Sequence, residues 1–267
     1  MKIKRPKLLN QKYYPRTWIM ALFVAVIFLA DAAVIYNMPD THGVNSGLAS
    51  AQSKKKSQKA QQPKQPTPAP APVLGNHDAV VTTVFWAGES AGDDNSYIAN
   101  AASAWDEQWE QHYGGVDDPD ARSGYLPAAF TPNENPFYFA LPYSDITDSS
   151  RRRATAKSCP NSNNTSLLNY SWCKNAWIAV QFGSKIVYAQ WEDVGPYQSN
   201  DFDYVFGTSK PKNRVDVGAG LDISPAVRDY LGVGDVSRTS WRFVAADKVP
   251  AGPWKQIVTS SRGDSIN

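Results

Sequence analysis

One stretch of the chain, residues 190–233, most constrains the fold because it sets two carboxylates at the edges of regular elements. Apolar residues alternate along residues 177–188 with a break at Gly183-Ser184, which predicts two strands joined by a tight turn. Gly195-Pro196 is a turn signal, so the second strand is expected to stop just after Asp193. Asp193 therefore lies at a predicted strand exit.

The second carboxylate, Asp222, precedes a short predicted helix. Ser224 and Pro225 are typical of a helix start, with Ser as the N-cap and Pro at the first helical position. Gly232 is expected to end the helix. Asp222 is thus predicted just outside a helix N-terminus, which favours the charged form of a carboxyl group.

This order of elements resembles a known family. It is similar to the double-psi β-barrel of rare lipoprotein A. In this chain the order is a strand, Asp193-Val-Gly-Pro, a spacer, Leu221-Asp-Ile-Ser-Pro-Ala, a short helix and a final strand. The same barrel occurs in expansins, related endoglucanases and membrane-bound lytic transglycosylase A. Asp193 matches the Asp of an Asn-Asp-Arg-Gly-Pro motif, with Val194 in place of Arg, and Asp222 matches the Asp of an Asp-Leu-Ser motif.

The resemblance extends to the ends of the domain. Thr82-Thr83-Val84-Phe85-Trp86 resembles the first barrel strand, and Trp241-Arg242-Phe243-Val244 resembles the last. It implies a mainly β domain over residues 79–262, a six-stranded double-psi β-barrel with short helices and loop insertions. It also implies a partner: a cell-wall polysaccharide such as peptidoglycan.

The available side chains favour acid–base chemistry on a glycosidic bond. Protonating the leaving oxygen requires a carboxylic acid with a raised pKa, and Asp222, between Leu221 and Ile223, is our candidate for that acid. Asp193 is the expected supporting carboxylate, with Glu192 and Glu89 as weaker substitutes. Alternation puts Glu192 and Asp193 on opposite faces, so only one of them can line the groove, and Glu89 lies near the position of a base in the related endoglucanases. The alternative to catalysis is a structural role for both residues: Asp222 would be a cap-like carboxylate, and Asp193 would be a turn residue that binds backbone amides.

Aromatic and metal-binding residues complete the expected site. Flat aromatic faces suit sugar rings, so we expect Trp191 and Tyr197 at the cleft and Trp172 at its rim. Three scattered His and two distant Cys have no zinc spacing, and Asp117-Asp118-Pro119-Asp120 lacks the Gly and distal Glu of a calcium loop. We therefore expect neither a metal nor a cofactor.

The N-terminal part predicts an envelope location. Residues 18–36 are 19 residues, apolar except for Asp31, long enough to cross roughly 30 Å of hydrocarbon. Basic residues crowd the preceding residues 1–17, which predicts a cytoplasmic tail and an extracytoplasmic C-terminal domain. Residues 37–78, rich in Lys, Gln and Pro, are expected to be a disordered tether. A cleaved signal peptide is the alternative, because Ala30-Asp31-Ala32 and Ala49-Ser50-Ala51 are both small-x-small sites.

Three further patterns bear on the domain. Cys159 and Cys173 are an even pair on the predicted exported side, which predicts one disulfide. Trp105 and Trp109, four apart, are expected on the apolar face of a helix that starts near Asn95-Ser96 and ends at Gly114-Gly115. A net charge of +2, without a basic stripe, argues against nucleic acid as a partner.

Two other functions remain open. Gly88-Glu89-Ser90-Ala91-Gly92 matches the nucleophile elbow of serine esterases, but the three His residues are poorly placed in sequence to serve Ser90. Expansins act on wall polymers without hydrolysis, so a non-catalytic wall-binding module is the other alternative. The sequence thus predicts an envelope glycan-binding protein, an enzyme if Asp222 and Asp193 share one groove.

Overall fold

The computed structural model describes residues 77–155, 158–159 and 169–265. The predicted cytoplasmic tail, membrane anchor and all but the last two residues of the predicted tether lie outside these residues. None of the helices within the described ranges combines the length and apolar character that crossing a bilayer requires. The tether was predicted to extend to residue 78, whereas the first strand begins at His77.

Short strands dominate the described residues. The strands are β1 (His77–Val84), β2 (Arg122–Ser123), β3 (Leu126–Pro127), β4 (Tyr138–Leu141), β5 (Trp177–Phe182), β6 (Lys185–Val194), β7 (Leu221–Ile223) and β8 (Val236–Val244). The α-helices are α1 (Trp109–Tyr113), α2 (Phe202–Val205) and α3 (Pro225–Leu231), and 3₁₀ turns span Asp93–Asn95, Ser149–Thr155, Ala246–Lys248 and Pro253–Lys255. The fold is therefore mainly β with few short helices, as the sequence predicts.

Six of these strands close into a barrel in the order β1-β7-β4-β6-β5-β8, and β2 pairs with β3 in a separate small sheet. Strands β1 and β7 are parallel, as are β4 and β6, and the other barrel pairs are antiparallel. If β1 is exchanged with β6, β4 with β7 and β5 with β8, every strand pairing and its direction stay the same. The pairing pattern thus has an internal twofold symmetry.

The main core fills the barrel. Alternate residues point inward, as at Ile178 and Val180 of β5, which lie opposite Ala189 and Val187 of β6. Trp191 packs against Phe139, with ring centroids 5.8 Å apart. A second buried cluster lies outside the barrel wall; its members are Phe85, Ala87, Trp109, Tyr113, Tyr138 and Ala140. This cluster holds the segment after β1 against β4.

Several local predictions are confirmed. β5 and β6 pair as a hairpin across Gly183-Ser184. The Ser224 hydroxyl accepts a hydrogen bond from Val227 N, Pro225 opens α3, and Gly232 ends it in the left-handed conformation. The disulfide is also present, joining Cys159 to Cys173.

The predicted helix from Asn95 to Gly114 is wrong over most of its length. Only Trp109–Tyr113 is α-helical, although Gly114 ends it as expected with a positive φ of 110°. The two tryptophans are buried, but Trp105 belongs to the barrel core and Trp109 to the outer cluster. A single helical face cannot serve two separate cores, so tertiary packing overrides the local helical pattern.

Candidate functional site

Three adjacent strands set the two predicted carboxylates on either side of a small residue. Ala140 of β4 is in register with Asp222 of β7 on one side and with Asp193 of β6 on the other. Neighbouring strands lie about 4.8 Å apart, so the Cα atoms of Asp193 and Asp222 are separated by about 10 Å. Residues in register point to the same face of a sheet, and the Ala140 methyl group leaves room between the carboxylates.

A β-bulge determines which acidic residue of β6 takes part. Phe139 is in register with Trp191, but the next residue, Ala140, is in register with Asp193, so Glu192 is the extra residue. Without this bulge Glu192 would lie beside Ala140 in place of Asp193. Glu192 is instead buried in an ion pair with Lys174. Only one of the two consecutive carboxylates therefore reaches the outer face of this sheet.

The carboxylates line a cleft of about 380 Å³ on the outside of the barrel. The segment that follows β1, the turn at Gly195-Pro196 and the start of β8 form its walls. Its acidic lining residues are Glu89, Asp120, Asp193, Asp216, Asp222 and Asp235. Arg228, the basic residue of this lining, donates hydrogen bonds to Asp229 and Asp235, so the cleft is predominantly negative.

Asp222 is the partly exposed carboxylate of the pair. Burial raises its pKa to about 7, with smaller increases from the charges of Asp193 and Glu89, while a hydrogen bond from the Thr83 hydroxyl lowers it. Gly195 lies close by, since a Cβ on it would be 3.2 Å from Asp222 Oδ2. Asp222 can thus carry a proton near neutral pH and present it to the cleft.

Asp193 is more enclosed and more firmly held. Its Oδ1 accepts hydrogen bonds from the backbone N–H of Ala104 at 2.6 Å and of Val194 at 2.7 Å. Burial raises its pKa to about 6, and these two amides and the charge of Lys174 oppose that rise. Asp193 therefore combines a positioned carboxylate with a charge that acts on Asp222.

Glu89 also lines the cleft. Its side chain is buried, and its Oε2 accepts a hydrogen bond of 2.6 Å from Asn100 Nδ2. Two backbone hydrogen bonds hold Asn100 against the segment of Glu89, one from Gly88 N to Asn100 O and one from Asn100 N to Glu89 O. Glu89 thus forms part of the cleft wall as a fixed acceptor.

Tyr197 lies at the cleft, as predicted, just after the Gly195-Pro196 turn. Its hydroxyl is 3.1 Å from the hydroxyl of Ser96, so one hydrogen bond joins the two walls. The neighbouring Tyr97 is 71% exposed. Tyr97 and Tyr197 both have positive φ, an uncommon conformation for bulky residues.

The structure does not bring the two predicted tryptophans to the cleft. Trp191 is completely buried, because the alternation of β6 directs it into the barrel, and its indole N–H donates to the backbone oxygen of Asp193 at 2.7 Å. Trp172 lies beside the disulfide, with the Arg152 guanidinium 4.3 Å from its ring centroid. Trp191 therefore supports the strand that carries Asp193, and Trp172 packs against the side chain of Arg152.

Residues that the sequence did not single out complete the site. Thr83 faces Asp222 because β1 and β7 are parallel and in register at these two residues. Ala140 separates the carboxylates, and Asn100 holds Glu89. The alternation of β1 is the signal that could have placed Thr83 on the outer face, but the sequence does not show which strand lies beside it.

The described residues offer little for the other chemistries. Within 77–155, 158–159 and 169–265, no group of three or more His, Cys, Asp or Glu could hold a metal ion. Ser90 is exposed in a loop. Of the two described histidines, His112 contacts Asp106 through Nδ1, and His77 stacks on Trp241 at 4.0 Å between ring centroids.

No protein-family model matches the chain, and no curated protein is detectably similar to it in sequence.

Proposed function

We propose that this is a cell-envelope protein whose barrel binds a wall glycan in the acidic cleft and cleaves it with Asp222. The observation that carries this proposal is the shared cleft of Asp193 and Asp222, in which Asp222 is partly exposed and has a pKa raised to about 7. A carboxyl group that is half-protonated near neutral pH can donate a proton and then accept one.

The barrel belongs, in this proposal, to the double-psi type. The twofold symmetry of the strand pairing and its two parallel pairs support that assignment. So do the positions of Asp193 at the end of β6 and Asp222 in β7, the places given by the resemblance to rare lipoprotein A and lytic transglycosylases. The N-terminal anchor and tether would hold this domain outside the cytoplasmic membrane, within reach of peptidoglycan.

The site favours a lytic transglycosylase mechanism with one acid–base group. Asp222 gives its proton to the glycosidic oxygen as the bond from that oxygen to the anomeric carbon breaks. A hydroxyl group of the same sugar then attacks the anomeric carbon, and its proton returns to Asp222. No water enters the product, so no second carboxylate is needed as a base.

Asp193 supports this chemistry by its charge and by its fixed position. Two backbone amides already bind its Oδ1, which makes it a better electrostatic partner than a base that must bind a water molecule. Hydrolysis with inversion would instead require Asp193 to activate water, with the carboxyl groups about 6.5–9.5 Å apart. The products distinguish the two reactions, because transglycosylation leaves an anhydro sugar and hydrolysis a reducing end.

The test uses the full-length protein and purified peptidoglycan. Soluble products are identified by mass spectrometry for the protein as it stands and for Asp222→Asn. Asp247→Asn is the matched control, because Asp247 is an exposed carboxylate that does not line the cleft. We expect anhydro-sugar products from the protein and from the control, and at least a hundredfold loss for Asp222→Asn.

Other outcomes reject parts of the proposal. Binding to the wall without cleavage by any of the three proteins would establish the non-catalytic, expansin-like alternative. Equal cleavage by Asp222→Asn would remove Asp222 from the reaction. Ester hydrolysis abolished by Ser90→Ala would favour the esterase.

A further inference from the structure

The segment after the last 3₁₀ turn returns to the barrel. We call residues 259–264 the C-terminal strap. Thr259 pairs with the side chain of Gln190 in β6, with Thr259 N donating to Gln190 Oε1 at 2.9 Å and Gln190 Nε2 donating to Thr259 O at 3.1 Å. Further along, the Ser261 hydroxyl donates to Glu134 Oε1 at 2.6 Å, and Asn175 Nδ2 donates to Ser261 O at 2.8 Å.

The far end of the strap contacts residues 103–107, a tight turn closed by an isolated β-bridge between Ser103 and Asp106. Asp264 N donates to Trp105 O at 2.7 Å, and Glu107 N donates to Asp264 Oδ2 at 2.6 Å. Gly263 makes this contact possible. Its φ is 71°, and a Cβ on it would lie 1.9 Å from Trp105 O, so any side chain would push the strap off the loop.

The same loop contacts the acidic pair. Ala104, next to Trp105, donates its N–H to Asp193 Oδ1 at 2.6 Å. Asp193 thus receives one amide from its own strand, at Val194, and one from the loop that the strap contacts. The strap touches β6 at Gln190, three residues before Asp193, so it spans the two elements that hold this carboxylate.

We propose that the C-terminal strap is a positioning element for the acidic pair, which holds the 103–107 loop so that Ala104 fixes the Asp193 carboxylate beside Asp222. The role of this positioning in glycan cleavage rests on the proposed function. The positioning itself does not, and it can be measured without any substrate.

Releasing the 103–107 loop is expected to raise the pKa of Asp193 and to lower the pKa of Asp222. The Ala104 amide opposes the rise of the Asp193 pKa that burial causes, so losing it raises the pKa of Asp193 further. The charge of Asp193 contributes to the raised pKa of Asp222, so a more protonated Asp193 lowers the pKa of Asp222. The other charged groups in this balance are Lys174, which acts on Asp193, and Glu89, which acts on Asp222.

The experiment is a pH titration of the full-length protein with ¹³C-labelled aspartate carboxyl groups, followed by NMR. Asp193→Asn and Asp222→Asn identify the two signals. Gly263→Ala is the test variant, and Arg262→Ala, which truncates an exposed side chain of the same strap, is the control. We expect Gly263→Ala to move the Asp193 midpoint up by about one pH unit, the value of a hydrogen bond to a charged group, and the Asp222 midpoint down.

A double variant isolates the route. In Gly263→Ala combined with Asp193→Asn, the Asp222 midpoint is expected to equal that of Asp193→Asn alone, because the strap acts on Asp222 through Asp193. If Gly263→Ala lowers only the thermal midpoint and leaves both titrations unchanged, the strap is merely a structural brace and the proposal is overturned. Should Gly263→Ala fail to fold, Asp264→Ala, which removes only the acceptor of Glu107 N, is read in the same way.

The titration and the cleavage assay separate the two proposals. Shifted midpoints in a protein that releases no sugar keep the positioning of Asp193 and reject the enzymatic role. If the protein cleaves the glycan but Gly263→Ala leaves both midpoints unshifted, the enzymatic role stands and the positioning role of the strap is rejected.

Discussion

Replacing Asp222 by Asn should stabilise the protein at alkaline pH. In the folded protein the pKa of Asp222 is raised from 3.8 to about 7, chiefly by burial, so folding favours the protonated carboxyl group. The unfolded chain binds fewer protons than the folded one between these pH values, and stability falls as the pH rises through this range. The neutral Asn avoids that cost, and its Oδ1 can still accept the hydrogen bond from Thr83.

The magnitude follows from the pKa difference. At 1.36 kcal/mol per pH unit, the change from 3.8 to about 7 corresponds to roughly 4 kcal/mol above pH 7 and to nothing well below pH 4. Asp222 is partly exposed and shares part of the effect with Asp193, so we expect a gain of about 2–4 kcal/mol for Asp222→Asn at pH 8.

Urea unfolding of the full-length protein, followed by tryptophan fluorescence at pH 4, 6 and 8, measures this gain. Asp120→Asn, an exposed carboxylate of the same cleft, is the control and should change the free energy of unfolding by less than about 0.5 kcal/mol at each pH. A gain that is equal at pH 4 and pH 8, or a loss at pH 8, would refute the reasoning, because neither follows from a raised pKa.

Three shorter predictions concern the scaffold. Lys174→Met should cost about 3–5 kcal/mol in urea unfolding because it leaves Glu192 buried without its cation, and Lys174→Met with Glu192→Leu should recover most of that loss. Replacing Cys159 and Cys173 by Ser should lower the free energy of unfolding by about 3 kcal/mol, given the separation of 14 residues, and a change below about 1 kcal/mol would contradict the loop-entropy account. Gly195→Ala should slow wall cleavage about tenfold, since a methyl group presses on Asp222 Oδ2, and an unchanged rate would exclude that crowding.

Local sequence patterns predicted much of the fold. The alternation over residues 177–188 and the turn at Gly183-Ser184 predicted the hairpin of β5 and β6, and Ser224-Pro225 with Gly232 predicted both ends of α3. These signals depend on neighbours in the chain, so they can be read without the tertiary structure. The predicted helix from Asn95 failed for the opposite reason, because its apolar residues pack into two separate clusters on different sides of the barrel wall.

The candidate site was only partly predictable. Asp193 and Asp222 were identified from turn and helix signals, and both line the cleft. The prediction for Trp191 was wrong because the bulge at Glu192 breaks the alternation of β6, so Trp191 and Asp193 point to opposite faces although they are two residues apart. The bulge at Glu192 was not visible either, since the choice between Glu192 and Asp193 depends on pairing with β4.

The sequence by itself determined the β5–β6 hairpin, both ends of α3 and the two carboxylates worth testing, because caps, turns and alternation are local interactions. It also determined the disulfide, since two cysteines allow only one pairing within the chain. The tertiary structure alone decided that Ala140 separates Asp193 from Asp222 and that a strap from the C-terminus reaches the loop holding Asp193. Those contacts join residues far apart in the chain. Their energies, including the burial that raises both pKa values, exist only once the barrel has closed.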